Sequence, residues 1–179
     1  MKLATRRLVL RDLKPGDAKS IAFNLNNLKI CEKLLVVPYP YRLKDAKEYI
    51  EKCRKRAKQK KREAYNFGIE FGKSIIGLIS IMDIDRFQNK AELGYWLGES
   101  YWGRGIMSEA LKKILGFGFG KLKLRRIEAC VFAANKASEG LLKKFGFRFE
   151  GLKRKCYRSR ATKKIHDGKI YALLREEWN

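Results

Sequence analysis

The pattern of hydrophobic and polar positions predicts a chain in which strands and helices alternate. Leu8 and Leu10 fall on one face of an opening strand over 6–13, with Leu13 as a further candidate for that face. Apolar runs bounded by turn residues predict six more strands, over 65–71, 74–83, 91–97, 125–132, 147–157 and 169–177. Gly72-Lys73 separates the first two of these six and is typical of a two-residue hairpin.

Helical spacing of apolar residues predicts four helices among these strands. They cover 15–26, 45–57, 104–120 and 137–145. The segment 34–41 contains Pro38 and Pro40 and is therefore predicted to be a loop. The resulting order is β-α-α-β-β-β-α-β-α-β-β, an α/β fold with a mixed, mostly antiparallel sheet and one strand–helix–strand crossover in the middle.

Length and composition favour one domain over residues 1–179. A chain of this length is of ordinary domain size, and its 45% hydrophobic content is enough for a core. No apolar stretch approaches the roughly 20 residues of a membrane-spanning helix, and no signal peptide is apparent, so a cytoplasmic protein is expected. The four cysteines form no CxxC pair and His166 is the only histidine. Neither a metal site nor a histidine-dependent nucleophile is therefore expected.

The charge of the chain is strongly positive. There are 42 Lys and Arg residues against 19 Asp and Glu, a formal net charge of +23. The segment 52–62 holds eight basic residues in eleven positions and 153–164 holds seven in twelve, with no acid in either. This charge favours polyanionic partners such as RNA, DNA, acidic protein surfaces or a phosphorylated cofactor, and it disfavours polycations. Two solvated basic faces explain the pattern equally well.

The segment 102–110 has the features of a phosphate-binding site. Gly103 and Gly105 precede a predicted helix and permit close approach of a ligand to the backbone, and Arg104 adds a full charge. The N-terminus of a helix exposes unpaired N–H groups and a partial positive charge, which suits a pyrophosphate. The segment is neither a Walker loop nor a GxGxxG fingerprint, since Ser108 stands where the third glycine would be. On the glycines alone, an ordinary tight turn is the alternative.

Longer motifs around this segment carry a family resemblance. ELGYWL over 92–97 followed by YWGRG over 101–105 resembles the acetyl-CoA loop of the GNAT family of N-acetyltransferases. NKAS over 135–138 followed by KFGFRFEG over 144–151 resembles the second signature of that family. The opening segment 6–11, the loop 38–40 and the closing segment 174–178 match as well. The likeness spans nearly the whole chain and is greatest to the RimJ/RimL type of ribosomal-protein N-terminal acetyltransferase.

This resemblance implies the GNAT fold, with splayed central strands that bind acetyl-CoA. The strand with Glu92 separates from the next strand after a bulge, and the pantetheine arm lies in the gap. By likeness, the backbone of Tyr95, Trp96 and Leu97 pairs with that arm. The residues implied for the pyrophosphate end are Trp102, Gly103, Arg104, Gly105, Ile106, Met107 and Ser108. Asn135 is implied to contact the arm, and Lys144 the cofactor phosphates.

The resemblance also implies direct attack of an amine on the acetyl thioester. This chemistry needs a neutral amine, a stabilised oxyanion and a proton for the departing thiolate. Many relatives supply that proton from a Tyr seven residues after the Asn, but Leu142 occupies this position. Ser138 is therefore the candidate acid, with capping of a helix as its alternative role. Glu92 is the candidate base, directly or through water, with a purely structural carboxylate as the alternative.

The acceptor is implied to lie between the segments 34–62 and 153–168, which contain both basic runs. Tyr39, Tyr41 and Tyr157 are the aromatic residues expected there. A positive surface favours an amine on an acidic peptide or on a protein bound near RNA, and the N-terminus of a ribosomal protein satisfies either description. The alternatives are a small amine such as an amino acid or a drug, and a nucleic-acid-binding protein on the same scaffold. Monomer and homodimer both remain open.

Overall fold

Eight strands form one sheet in the computed structural model, which describes residues 1–178. The strands are β1 (Lys2–Ala4), β2 (Val9–Asp12), β3 (Tyr65–Phe71), β4 (Ser74–Asp85), β5 (Lys90–Leu97), β6 (Arg126–Phe132), β7 (Arg148–Arg158) and β8 (Ile165–Leu174). Their order across the sheet is β1-β2-β3-β4-β5-β6-β8-β7. The helices are α1 (Ala18–Leu25), α2 (Leu28–Cys31), α3 (Leu43–Ala57), α4 (Ile106–Gly116) and α5 (Lys136–Lys144). None of these helices is long and apolar enough to cross a membrane.

The sheet is antiparallel at every pair of neighbouring strands except one. β5 and β6 are parallel, and α4 forms the crossover between them. β6 then pairs with β8 rather than with β7, so β7 lies at the edge of the sheet. The predicted mixed sheet with one strand–helix–strand crossover is thus confirmed.

The parallel pair β5–β6 is joined only at its start. Three positions of each strand are in register, from Lys90 opposite Arg126 to Glu92 opposite Glu128. Beyond Glu92, β5 continues to Leu97 along β4 but has no further partner on β6. The two strands therefore diverge, as expected for splayed central strands, and leave the edge of β5 open over Leu93–Leu97.

Each face of the sheet carries its own hydrophobic core. The main core lies under α4 and α5 and includes Leu111, Ile114 and Leu142, all fully buried. The second core lies under α1–α3 and includes Ile21, Ile50 and Trp96. No residue of β6, β7 or β8 belongs to the second core of the described chain. On that face, the half of the sheet beyond β5 is therefore not covered by α1–α3.

The N-terminal region contains two elements that periodicity did not reveal. The strand predicted over 6–13 is confirmed only over β2, because the Thr5 N–H bonds the Leu8 carbonyl oxygen at 2.9 Å and makes a turn between β1 and β2. The one-turn helix α2 was not predicted either. It starts where the Asn27 side chain accepts the Lys29 N–H at 2.9 Å, a local cap without hydrophobic periodicity.

The predicted starts of two elements also need correction. The helix predicted from 104 begins at Ile106, because Gly105 has φ +70° and cannot be a helical residue. The strand predicted over 169–177 is instead β8, which starts four residues earlier. It ends at Leu174, whose N–H donates to Glu177 Oε2 at 3.0 Å and starts a short 3₁₀ turn.

A charged network joins β2 to its neighbours. Arg11 donates to both carboxylate oxygens of Asp17 at 2.9 Å and to Glu70 Oε2 at 2.5 Å. The Arg11 and Asp17 side chains are only 12% and 11% exposed. Burial by itself would raise the pKa of Asp17, but the hydrogen bonds from Arg11 and from the Lys14 N–H outweigh it and lower that pKa. Ionised Asp17 is therefore favoured in the folded state.

The lowered pKa of Asp17 predicts an acid-sensitive contribution to stability. It is fully present above the pKa of unfolded Asp, about 3.9, and is lost as the pH falls through the lower folded-state pKa. Asp17→Asn should reduce the free energy of unfolding at pH 7 by about 1.5–3 kcal/mol and flatten its fall below pH 5. Urea unfolding at a series of pH values measures both effects.

Glu51→Gln is the matched control, because Glu51 and Arg54 form an exposed pair one helical turn apart on α3. It should change the free energy of unfolding by less than about 0.5 kcal/mol. Equal effects of the two substitutions would contradict the role of the buried network.

Candidate functional site

The chain enters α4 through an exposed turn of glycines. Gly103 and Gly105 have φ +71° and +70°, in the left-handed region that other residues rarely adopt. A Cβ atom at Gly103 would meet nothing within 4 Å. The backbone of this turn is therefore open to an approaching ligand.

The first turn of α4 has unused hydrogen-bond donors. The first helical bond runs from the Glu109 N–H to the Gly105 carbonyl oxygen at 3.0 Å, so the N–H groups of Ile106, Met107 and Ser108 precede the helical ladder. Gly105 is the N-cap and has no side chain that could accept from them. These donors and the positive end of the helix dipole make an anion-binding site. The Ile106 side chain is buried in the main core and leaves only its backbone for a ligand.

A clamp from the N-terminal segment holds this turn. Glu109 accepts from the Thr5 hydroxyl at 2.6 Å, from the Arg7 N–H at 2.8 Å and from Arg7 Nε at 2.6 Å. Arg7 Nη1 also donates to the Arg104 carbonyl oxygen at 3.1 Å. Burial opposes ionisation of Glu109, but the bonds from Thr5 and Arg7 prevail and lower its pKa. Sequence reasoning missed these contacts, because they join residues about a hundred positions apart.

The two large side chains of the turn are held by aromatic and backbone contacts. The Arg104 guanidinium lies over the rings of Tyr101 and Phe71, at 5.8 and 5.9 Å from their centroids. The Trp102 indole N–H donates to the Leu97 carbonyl oxygen at 2.8 Å, and Trp102 is 40% exposed. The Leu97 carbonyl is therefore already used within the turn. Arg104 remains at the surface beside the open backbone.

A hydrogen bond joins Tyr95 on β5 to Ser138 on α5. The Tyr95 hydroxyl and Ser138 Oγ are 2.6 Å apart. Asn135 is the N-cap of α5 and its Oδ1 accepts the Ser138 N–H at 3.3 Å. Burial raises the pKa of Tyr95 to about 12 although the bond to Ser138 opposes the shift. The predicted acid and two predicted cofactor-binding residues are thus brought together.

Glu92 lies where β5 and β6 begin to diverge. It is half-buried, and no residue of the described chain forms a hydrogen bond with its carboxylate. Burial raises the pKa of Glu92, and the negative charges of Asp83 and Glu128 raise it further, while Lys153 acts in the opposite direction. A partly desolvated carboxylate at the point where β5 and β6 separate, the start of the cleft between them, is suited to accept a proton.

An aromatic cluster lies near Glu92 on the face that α1–α3 leave uncovered. Phe132 stacks on His166 with ring centroids 4.5 Å apart, and Tyr157 is 6.2 Å from Phe132. Tyr157 also lies over the backbone of Gly168, where a Cβ atom would be only 2.3 Å from its ring, and against Cys130. His166 Nε2 is buried without a hydrogen-bond partner in the described chain. Of these residues, only Tyr157 was predicted.

Other predicted site residues lie farther from this cleft or point into the cores. Trp96 and Tyr41 are buried in the second core, so neither presents its side chain to a ligand. Tyr39 is 43% exposed in the loop before α3. Lys144 is exposed in the last turn of α5, at the opposite end of that helix from Asn135. Its contact with cofactor phosphates stays a prediction.

Known proteins share both the sequence pattern and the fold. Residues 7–148 match the acetyltransferase (GNAT) domain family. The p20 protein of Bacillus licheniformis, an uncharacterized N-acetyltransferase, is 29% identical over 176 residues, 98% of this chain and 97% of that protein. The ribosomal-protein-serine acetyltransferase of Escherichia coli is 36% identical over 77 residues, 43% of each chain. RimL, a ribosomal α-N-protein acetyltransferase solved in complex with coenzyme A, matches the fold alone, with a TM-score of 0.84 at 20% identity over 97% of this chain and 98% of that one.

The surroundings of Glu92 predict a measurable change in its ionisation. Its pKa should lie above the usual value of about 4.3, and Asp83→Asn should lower it because one neighbouring negative charge is removed. Asp83 is exposed and has φ +51°, a conformation that Asn also tolerates. A ¹³C NMR titration of labelled glutamate carboxyl groups measures both shifts.

Glu51→Gln on α3 is the control and should leave the titration of Glu92 unchanged. A pKa of Glu92 at or below the usual value, or one insensitive to Asp83→Asn, would contradict this description of the site.

Proposed function

The chain belongs to the GNAT family of acetyltransferases, and we propose that it transfers the acetyl group of acetyl-CoA to the N-terminal α-amine of a protein such as a ribosomal protein. The observation that carries the proposal is the open glycine turn at the start of α4, next to the unpaired edge of β5. The glycine turn suits a pyrophosphate, and the unpaired edge of β5 suits an extended chain that contains amides. Together they match the pyrophosphate and the pantetheine arm of coenzyme A.

The residues of the gap fit acetyl-CoA. The N–H groups of Ile106, Met107 and Ser108 would hold the pyrophosphate, with Arg104 beside them. The open edge of β5 would pair with the amides of the pantetheine arm, as one strand pairs with another. The cofactor supplies an acetyl group activated as a thioester.

The chain's own groups would manage the protons of the transfer. Glu92, with its raised pKa, would accept a proton from the incoming amine, directly or through water. Ser138 would donate its hydroxyl proton to the departing sulfur. An N-terminal α-amine has a pKa near 8, against about 10.4 for a lysine side chain, so much more of it is neutral at pH 7. A weak base such as Glu92 is therefore better matched to an α-amine.

The charges around the cleft favour a peptide with a free N-terminal amine that is followed by acidic residues. Glu92, Glu128 and Asp83 contribute negative charge where the amine would enter. The surrounding segments are basic, and in the two basic runs only Arg54 and Arg62 form ion pairs within the described chain. An amine followed by acidic residues would satisfy both parts of the surface.

The unpaired basic residues also support electrostatic contact with RNA, as on a ribosome, and such an acceptor would be met in the cytoplasm. A small-molecule amine is the alternative acceptor, favoured by the aromatic cluster of Phe132, Tyr157 and His166, in which Tyr157 and His166 are partly exposed. A nucleic-acid-binding role without acetyl transfer is less favoured, since the glycine turn is open and uncapped. RNA binding that weakens steeply with salt would indicate contacts made by charge alone.

The proposal predicts that acetyl-CoA binding depends on the glycine turn. Arg104→Ala with Gly105→Glu should raise the Kd for acetyl-CoA at least tenfold, which is a loss of about 1.4 kcal/mol of binding free energy. The double substitution removes a positive charge and places a carboxylate at the anion site. Calorimetric titration of wild type and variant with acetyl-CoA measures the change.

Lys55→Ala with Gln59→Glu is the matched control, since it changes the net charge equally at two exposed positions, one in the last turn of α3 and one just after it. It should bind acetyl-CoA like the wild type. A folded wild-type protein that binds no acetyl-CoA would contradict the proposed function.

The acceptor preference predicts faster turnover of acidic peptides than of polyamines. Peptides beginning Ser-Glu or Ala-Glu should have a kcat/KM at least about tenfold above that of spermidine, since like charge disfavours a polycation at the basic rim. Lys153→Glu should narrow this ratio, because Lys153 lies near Glu92 and is exposed. Release of coenzyme A across the acceptor panel measures it.

Lys19→Glu is the control, because it makes the same charge change at an exposed position of α1. It should leave the ratio of the two kcat/KM values unaltered. Spermidine turnover faster than that of every acidic peptide would overturn the assigned acceptor class while leaving the acetyltransferase activity in place.

A further inference from the structure

We infer that Tyr95 is a positioning residue for Ser138: its hydroxyl donates a hydrogen bond to Ser138 Oγ and leaves the Ser138 proton free for the departing sulfur. The inference rests on the proposed function and adds a residue to its proton transfer. The resemblance of the sequence implied a backbone role for Tyr95. The structure places its side chain, rather than its backbone alone, at the reacting end of the gap.

The geometry fixes both atoms of the pair independently. Tyr95 lies three residues beyond Glu92, the last position at which β5 pairs with β6. Its ring packs against the main core, and its hydroxyl reaches Ser138 Oγ at 2.6 Å. The backbone of Ser138 is held separately, because Asn135 Oδ1 accepts its N–H. Ser138 is only 9% exposed, so its hydroxyl has few other orientations.

The direction of the hydrogen bond follows from the number of protons available. A serine hydroxyl has one proton, and a Ser138 that donated to Tyr95 would have none for a leaving group. Tyr95 can be the donor at all working pH values, since burial raises its pKa to about 12 and keeps it protonated. The Tyr95 hydroxyl has no other hydrogen-bond partner in the described chain. Its proton is therefore directed to Ser138.

The proton transfer balances without any further reactant. As the carbon–sulfur bond breaks, the electron pair leaves with sulfur and the Ser138 proton moves to it. Tyr95 keeps its own proton and continues to donate to the Ser138 oxygen, which stabilises the negative charge that develops there. Ser138 then takes a proton from solvent, and the proton lost by the amine returns to solvent through Glu92. The phenol assists the acid and is not consumed.

Another assignment of the two hydroxyls is that Tyr95 itself protonates the sulfur and Ser138 only holds Tyr95. The position used for a Tyr acid by many relatives is occupied by Leu142, which is fully buried in the main core. Tyr95 would then be a replacement phenol from the opposite side of the gap. This assignment predicts that loss of the Tyr95 hydroxyl is more harmful than loss of the Ser138 hydroxyl.

The test is a double-mutant cycle in kcat with Tyr95→Phe, Ser138→Ala and the combined variant, using acetyl-CoA and the best peptide of the acceptor panel. Ser138→Ala should lower kcat about 100-fold. Tyr95→Phe should lower it about fivefold to tenfold, the kinetic equivalent of one hydrogen bond, with the KM for acetyl-CoA within about twofold of wild type. The combined variant should match Ser138→Ala, because Tyr95 acts only through Ser138.

A combined variant that loses the product of the two single effects would overturn the inference, as would a Tyr95→Phe variant more impaired than Ser138→Ala. Tyr65→Phe is the matched control, since Tyr65 packs against Phe117 in the same core but lies on β3, which β4 separates from β5. It should keep the wild-type kcat and KM.

The same cycle on the protein without acetyl-CoA tests the hydrogen bond apart from activity. The two substitutions should be non-additive in the urea midpoint of unfolding, whereas Tyr65→Phe and Ser138→Ala should be additive. If the wild type acetylates the peptide and Tyr95→Phe has the same kcat, the inference is overturned while the proposed function stands. A wild type that binds acetyl-CoA but acetylates no amine would overturn the proposed function, and the inference with it.

Discussion

The divergence of β5 and β6 after Glu92 is the constraint on which the rest of the structure depends. Parallel neighbours need a crossover connection, and α4 supplies it and begins shortly after the end of β5 at Leu97. Continued pairing would have used the edge of β5 over Leu93–Leu97 and closed the gap. The unpaired edge and the place of the α4 N-terminus are therefore consequences of one topological choice, while Gly105 leaves that N-terminus uncapped. Both leave backbone donors and acceptors available to a ligand, so the proposed cofactor site depends on few charged side chains.

Strand alternation distributes the chemistry of the cleft between its two faces. Tyr95 packs against the main core, where it meets Ser138, whereas Glu92 and Trp96 belong to the opposite face. In the proposed reaction, Glu92 as the base and Ser138 as the acid, which Tyr95 orients from the other face of β5, would act on the two sides of a group lying in the gap. The aromatic cluster of Phe132, Tyr157 and His166 lies on the same side of the sheet as Glu92, which is the side proposed for the acceptor.

Electrostatics serves stability and recognition in different places. The acids that hold the fold are committed to partners: Asp17 to Arg11, and Glu109 to Thr5 and Arg7 at the glycine turn. The basic excess remains on the outside of α3 and in the segment around β7. Such exposed charges add little to folding stability but attract a partner of opposite charge. The carboxylates beside Glu92 are a local exception within this positive surface.

The sequence by itself determined the order of most elements, the parallel crossover, the glycine turn and the candidate residues Glu92 and Ser138. These features follow from short-range periodicity, turn chemistry and motifs. It did not determine β1, α2 or the start of β8. β1 has three residues and α2 has four, and segments this short carry too little hydrophobic periodicity to be recognised. Only the tertiary structure decided that Arg7 clamps the turn through Glu109 and that Tyr95 reaches Ser138. Such contacts depend on strand register and helix docking, which bring residues 43 or more positions apart within hydrogen-bond distance.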